Sequence, residues 1–229
     1  VFIYLTVILG LLVHGPLLAG DNTDLPRVLI IGDSISIGYT PYVEEALDGK
    51  AEVIHHPGNA MHTRNGLKKL HRWLGEEKWD VIHFNWGMWD LCYRHHDQRM
   101  SQQNRDKVNG TITTSIEEYE NNLDELVTRL EKTGAVLIWA NTTAVPAEEP
   151  GRIHGDDHRY NATAEAVMRK HGVRINDLNT LTHAFEGKEA LPVDDVHYSQ
   201  AGYRAIGEQV AVFIESALNE SRARDVAAN

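Results

Sequence analysis

The sequence predicts an α/β domain in which a parallel sheet is covered by helices on both faces. Two observations lead to this prediction. Short apolar runs rich in β-branched residues show no alternation, which is typical of strands buried on both faces. These runs alternate along the chain with stretches in which apolar residues recur at helical spacing. Since each parallel crossover needs a covering helix, the sheet is expected to lie between two helical layers.

Five strands and five helices account for most of the chain. The strands are predicted at 28–31, 51–56, 81–84, 135–140 and 173–175. The helices are predicted at 41–47, 63–74, 116–133, 156–171 and from 200 onward. Thr40 and Pro41 are typical of the cap and first residue of a helix, and Ser115 with Glu118 forms a capping box. Two long polar stretches, 91–114 and 142–155, are predicted to be loops that are functional or disordered.

Residues 1–19 are almost all apolar and contain no Lys or Arg, and small Ala19 follows two leucines. This pattern predicts a secretory signal peptide at 1–20 and hence a secreted or periplasmic protein. An uncleaved anchor is the alternative, although His14 and Pro16 leave an apolar run too short to span a bilayer comfortably. The remaining chain is divided into a linker at 21–26, a single domain at 27–218 and a frayed tail at 219–229.

The formal charge of −11 argues against a nucleic-acid partner or an anionic membrane surface, either of which favours a basic stripe. Small-molecule and neutral polymer substrates remain open. The chain has one cysteine, Cys92, so an internal disulfide is excluded and stability must come from the core.

Ser34 is the candidate nucleophile because it follows the first strand and the turn at Gly32. In open α/β sheets this carboxyl edge is where ligands bind. Near the end of the chain, Asp194 stands three residues before His197, so its carboxylate could hold one ring nitrogen and leave the other as a base. Serine, carboxylate and histidine are the parts of acyl-transfer catalysis. Taken singly, each motif could be only a turn or a solvated loop.

Together these motifs resemble the SGNH/GDSL hydrolase family, over residues 27 to about 216. The matching blocks are Gly32-Asp33-Ser34-Ile35, the glycine of Pro57-Gly58-Asn59, and Asp194-Asp195-Val196-His197. The resemblance implies a flavodoxin-like three-layer αβα sandwich with a five-stranded parallel sheet, and an esterase or related acyl hydrolase without a cofactor. It further implies Ser34 as nucleophile, His197 as general base and then acid, and Asp194 as the group that orients His197. The backbone N–H groups of Ser34 and Gly58 would form the oxyanion hole.

One block departs from the family pattern. The family usually has Gly-x-Asn-Asp after the third strand, whereas this chain has Trp89 in place of the asparagine. An indole N–H can donate one hydrogen bond, so Trp89 is a candidate third donor, with Asn85 as a second candidate. The alternative is that Trp89 is a core aromatic residue.

Aromatic and polar residues cluster after the third strand and are predicted to face a sugar ring. The predicted substrate-binding residues are Trp86, Tyr93 and Arg94, and His95 and His96 follow them. The alternative is a lid that only packs. No metal site is expected, because adjacent histidines on a strand point to opposite faces and no helix shows a clean pair of ligands.

These patterns predict a secreted serine esterase that removes acetyl or another short acyl group from a carbohydrate. A lipid or thioester hydrolase with the same triad is the nearest alternative. A non-catalytic glycan-binding protein on this fold is the alternative from a different class.

Overall fold

The computed structural model describes residues 25–95, 104–186, 189 and 192–228. Its main sheet has five parallel strands: β1 (Arg27–Ile31), β2 (Glu52–His55), β3 (Val81–Phe84), β6 (Val136–Ala140) and β7 (Arg174–Asn176). They lie in the order β2-β1-β3-β6-β7. Two short strands, β4 (Tyr93–Arg94) and β5 (Thr111–Ile112), form a separate antiparallel pair.

The helices of the described chain cover the sheet in two groups. They are α1 (Ser34–Ala46), α2 (Thr63–Leu74), α3 (Ile116–Glu131), α4 (Asp156–His171), α5 (Leu178–His183) and α6 (Gln200–Ala228). Helices α1 and α6 pack together, while α3 packs between α2 and α4. The prediction of a three-layer αβα sandwich with a five-stranded parallel sheet is confirmed.

Strand β1 is central to the site because it is paired on both sides. Residues 28–31 are completely buried or nearly so, which explains why the strand has no polar face. Ile31 pairs with Phe84 of β3, so the residues that follow the two strands lie side by side at the same edge of the sheet. The chain thereby places Gly32 next to Asn85.

The first helix begins earlier than predicted. It starts at Ser34, where the Asp33 carboxylate accepts a hydrogen bond from the N–H of Ile35 at 2.9 Å. The predicted cap, Thr40, lies inside the helix and donates to a carbonyl one turn earlier. Pro41 is also internal, although it cannot donate a backbone hydrogen bond. The Asp33 cap and the packing of α1 against α6 outweigh this local cost.

Elsewhere the predicted boundaries mostly hold, with three differences. Helices α2 and α4 have the predicted bounds, and Ser115 caps α3 as expected. The long loop at 91–114 contains β4 and β5, and the short helix α5, capped by Asp177, was not predicted. The last helix continues to Ala228, where a frayed tail was expected after 218.

The predicted signal peptide at 1–20 lies outside the described residues, as does His96. Within the described ranges, no helix combines the length and the apolar character needed to cross a bilayer.

Candidate active site

Three side chains form a continuous hydrogen-bonded chain at the carboxyl edge of the sheet. Ser34 Oγ lies 2.8 Å from His197 Nε2. On the other side of the ring, His197 Nδ1 lies 2.8 Å from Asp195 Oδ1. Residues far apart in sequence thus meet in the geometry in which a serine hydroxyl donates to one ring nitrogen and the other nitrogen donates to a carboxylate.

The carboxylate that contacts His197 is Asp195, and the prediction of Asp194 is wrong in this respect. Asp194 is exposed, whereas Asp195 is partly buried. The Asp195 oxygen that meets the ring also accepts the N–H of Val196 at 2.7 Å, which holds the carboxylate in place. Burial by itself would raise the pKa of Asp195, but the hydrogen bonds from His197 and Val196 outweigh burial and hold that pKa below its ordinary value.

The turn before Ser34 leaves no space for a side chain at Gly32. A Cβ on Gly32 would lie 2.7 Å from Ser36 Oγ. Ser36 in turn donates to the Asp33 carbonyl at 2.7 Å, closing the first turn of α1. Asp33 is buried, and burial raises its pKa, while the N–H of Ile35 acts in the opposite direction. This packing fixes the point from which Ser34 projects.

The two predicted backbone donors, Ser34 and Gly58, lie on segments that are joined by hydrogen bonds. Ser34 is the first residue of α1, so its N–H has no acceptor within the helix and lies at the positive end of the helix dipole. Gly58 has φ of 82°, a left-handed conformation that favours glycine, and open space lies beyond its Cα. The Gly32 carbonyl accepts the Ala60 N–H and the His56 ring Nε2–H, both at 2.9 Å. The Gly58 loop is therefore anchored to the nucleophile turn.

Both candidates for the third donor are partly exposed, and Asn85 lies beside the nucleophile turn. Asn85 Nδ2 donates to the Ala140 carbonyl at 2.7 Å, which uses one amide hydrogen and leaves the other. Trp89 lies with its ring 4.6 Å from the Arg94 guanidinium carbon in a cation–π contact. Trp89 is therefore not a fully buried core residue.

Two of the three predicted substrate-binding residues are buried instead. Trp86 is 1 % exposed and packs in the core, with its ring 6.5 Å from that of Trp73 and 6.0 Å from that of Phe84. Arg94 is 2 % exposed, and its guanidinium donates to Asn104 besides covering Trp89. Tyr93 remains partly exposed. Much of the predicted sugar-facing cluster therefore packs internally.

A buried ion pair that sequence reasoning missed supports the segment after β3. Glu149 is fully buried and Arg152 is 2 % exposed, and they are joined at 2.7 Å. Arg152 also donates to the Met88 carbonyl at 2.8 Å, and Arg105 makes a second ion pair with Glu149. The pair joins the loop at 142–155 to the segment that carries Trp89. These charges lie in aperiodic polar loops, so the sequence offers no sign that they are buried.

Asp90 anchors the same segment from the other side. Its carboxylate accepts hydrogen bonds from the backbone N–H and the hydroxyl of Thr63, the first residue of α2. Complete burial raises the pKa of Asp90 to about 6, although the bonds from Thr63 oppose the shift. The segment 87–90 is thus held at both ends by buried polar contacts.

A serine, a histidine and a carboxylate joined in this way are the parts of acyl-transfer catalysis, and they occur on several unrelated folds. A model of the GDSL-like lipase/acylhydrolase family matches residues 30–205, and the chain belongs to this family. The resemblance found in the sequence is confirmed, and the protein is an ester hydrolase. No curated protein sequence is significantly similar to it.

Solved structures of similar fold include several hydrolases. A lipase/acylhydrolase from Enterococcus faecalis has a TM-score of 0.67 at 20% identity, covering 84% of this chain and 96% of that chain. The acetyl xylan esterase AlAXEase has a TM-score of 0.62 at 17% identity, covering 80% and 97%. A catalytic mutant of Axe2, an acetylxylan esterase from Geobacillus stearothermophilus, has a TM-score of 0.62 at 17% identity, covering 81% and 92%. At these identities the likeness concerns the fold.

Proposed function

We propose that the protein is a serine esterase that hydrolyses short-chain acyl esters, chiefly acetyl esters of carbohydrates, through Ser34, His197 and Asp195. The observation that carries the proposal is the pair of 2.8 Å contacts from Ser34 to His197 and from His197 to Asp195. A serine hydroxyl is a weak nucleophile unless a base takes its proton as it attacks. His197 is within hydrogen-bonding distance for that transfer.

The reaction proceeds in two halves. Ser34 Oγ attacks the ester carbonyl carbon while its proton moves to His197 Nε2, giving a tetrahedral intermediate. The backbone N–H groups of Ser34 and Gly58 stabilise the oxyanion. His197 then protonates the departing sugar alkoxide and leaves an acyl group on Ser34. Water, deprotonated by His197, attacks this acyl-enzyme, and Ser34 leaves with a proton returned from His197.

Asp195 controls the state of His197 during these steps. By accepting the Nδ1–H, its carboxylate selects the tautomer with a free lone pair on Nε2, which faces Ser34. Its negative charge also stabilises the imidazolium that forms when the proton is taken. Asp195 is therefore a positioning and electrostatic group.

Two observations favour a short acyl group on a sugar. Trp89 and Tyr93 are partly exposed aromatic residues in the chain that follows β3. Two of the structures with this fold are acetylxylan esterases.

We also propose that the protein is secreted or periplasmic, and this proposal rests on the apolar residues 1–19 alone.

The acyl-chain preference tests this proposal. If the enzyme acts on acetyl esters of sugars, kcat/KM for aryl esters should be highest with acetyl and fall at least about tenfold by octanoyl. Acetylated xylo-oligosaccharides should be deacetylated as well, as followed by acetate release. Rates that rise with chain length up to decanoyl would favour the lipid or thioester hydrolase. Purified protein inactive on every ester would favour the glycan-binding alternative.

Trp89→Phe and Asn85→Ala distinguish the two candidates for the third oxyanion donor. Losing one well-placed donor typically lowers kcat by about 10² to 10³. Trp89→Phe deletes the indole N–H but keeps most of the ring that Arg94 covers. A fall of that size with KM unchanged identifies the substituted residue as a donor to the transition state.

We expect Asn85→Ala to carry this kcat defect and Trp89→Phe to act mainly on KM. The reason is that Asn85 lies beside Gly32 and has a spare amide hydrogen, whereas the Trp89 ring is engaged by Arg94. Steady-state kinetics with an aryl acetate measures both effects. If both variants stay within about threefold of the unaltered enzyme, neither residue is a donor and the hole has only Ser34 and Gly58.

A further inference from the structure

Outside the candidate active site, the fold brings together two histidines and an aspartate from different helices. Asp157 and His158 lie in the first turn of α4, and His183 is the last residue of α5. One possible ligand atom from each residue lies within 4.8 Å of the other two. The two imidazole rings are stacked, with centroids 4.9 Å apart and planes at 15°.

The aspartate of this cluster has an unsatisfied buried oxygen. Asp157 is completely buried. Its Oδ2 accepts hydrogen bonds from Asn179 Nδ2 and His183 Nε2, both at 2.8 Å. Its Oδ1 is buried and has no hydrogen-bond partner among the described residues. Buried carboxylate oxygens are costly unless they are paired, so a positive charge at this point would be favourable.

We propose that Asp157, His158 and His183 form a binding site for a divalent transition metal of the Zn²⁺ type. Imidazole nitrogen and carboxylate oxygen are ligands that Zn²⁺ accepts, and a water molecule would complete a tetrahedral set. Magnesium and calcium fit less well because they prefer oxygen ligands throughout. Both histidines are exposed, so their rings have room to close on the ion.

The site is expected to stabilise the fold rather than to take part in ester hydrolysis. Its ligands come from α4 and α5, which carry none of Ser34, Asp195 and His197. An ion held by both helices would tie α5 to the start of α4, next to the loop that follows β6. The sequence predicts no metal site, because adjacent histidines on a strand point to opposite faces and no helix shows a clean pair of ligands. Only the folded chain brings His183 to His158.

Zinc titration of the full chain tests the proposal. After dialysis against a chelator, calorimetry with ZnCl₂ should show one more equivalent bound by the unaltered protein than by His158→Gln or His183→Gln. Zinc at about 100 times its Kd should raise the midpoint of thermal unfolding by about 5 to 10 °C, because it binds the folded state alone. Binding should weaken at acidic pH, since protons compete for the imidazole nitrogens.

His71→Gln is the matched control, because His71 is exposed on α2 and lies outside the cluster. It should keep both the extra equivalent and the thermal shift. His158→Gln changes an exposed side chain, so the folded state should persist, as circular dichroism would show. Equal zinc stoichiometry and equal thermal shift in His158→Gln, His71→Gln and the unaltered protein would overturn the proposal, as would the absence of zinc binding to the unaltered protein.

Discussion

Ser34→Ala is expected to lower kcat for an aryl acetate by four to six orders of magnitude. The substitution removes the hydroxyl proposed to attack the carbonyl, so the acyl-enzyme cannot form on this residue. What remains is binding and oxyanion stabilisation, which for triad enzymes leaves only a small residual rate. Steady-state kinetics measures the loss, and covalent labelling by an organophosphonate reports the nucleophile directly. The label should appear on Ser34 in the unaltered enzyme and be missing in the variant.

Ser36→Ala is the matched control for this change. Ser36 is two residues further along the same helix, but its hydroxyl contacts the Asp33 carbonyl and His55 Nε2, each at 2.7 Å, whereas Ser34 contacts His197. We expect its activity to stay within about tenfold of the unaltered enzyme, with some loss of stability because a buried hydrogen bond is removed. Activity of Ser34→Ala within tenfold of the unaltered enzyme would contradict the assignment of the nucleophile.

Asp195→Asn is expected to lower kcat by about 10⁴, the size of effect seen when a triad carboxylate is replaced by its amide. An amide that donates to Nδ1 favours the tautomer with the proton on Nε2, so His197 could no longer accept the Ser34 proton. The imidazolium formed during attack would also lose its neighbouring negative charge. Because the asparagine side chain has nearly the same shape, the loss should lie in kcat and not in folding.

Asp194→Asn makes the same chemical change one residue earlier, on an exposed side chain. It should leave kcat within about threefold, and the thermal midpoints of both variants should match that of the unaltered enzyme. Equal losses in the two variants, or a larger loss in Asp194→Asn, would show that the acid three residues before the histidine acts in catalysis. The comparison therefore separates the spacing implied by family resemblance from the contact seen in the fold.

The sequence by itself determined the sheet, most helix boundaries and the region of the site. Apolar runs without alternation predict doubly buried strands, and caps such as Ser115 mark where helices begin, so local chemistry is sufficient there. The carboxyl ends of parallel strands share one edge, so the positions of Ser34 and Asn85 after β1 and β3 follow from their place in the chain. The pairing with His197 was inferred from the residue types, because serine, carboxylate and histidine are the parts of acyl-transfer catalysis, and from resemblance to a family.

Only the tertiary structure decided which neighbours meet around those positions. The choice of Asp195 over Asp194 depends on how one turn presents its carboxylates to a ring. The sequence predicts that Trp86 binds the substrate, whereas in the fold its ring packs against those of Trp73 and Phe84. Two further contacts could not be predicted from the local sequence. One is the buried pair of Glu149 and Arg152, and the other is the contact between His158 and His183. Such contacts are set by packing between distant parts of the chain, which local propensity and spacing do not encode.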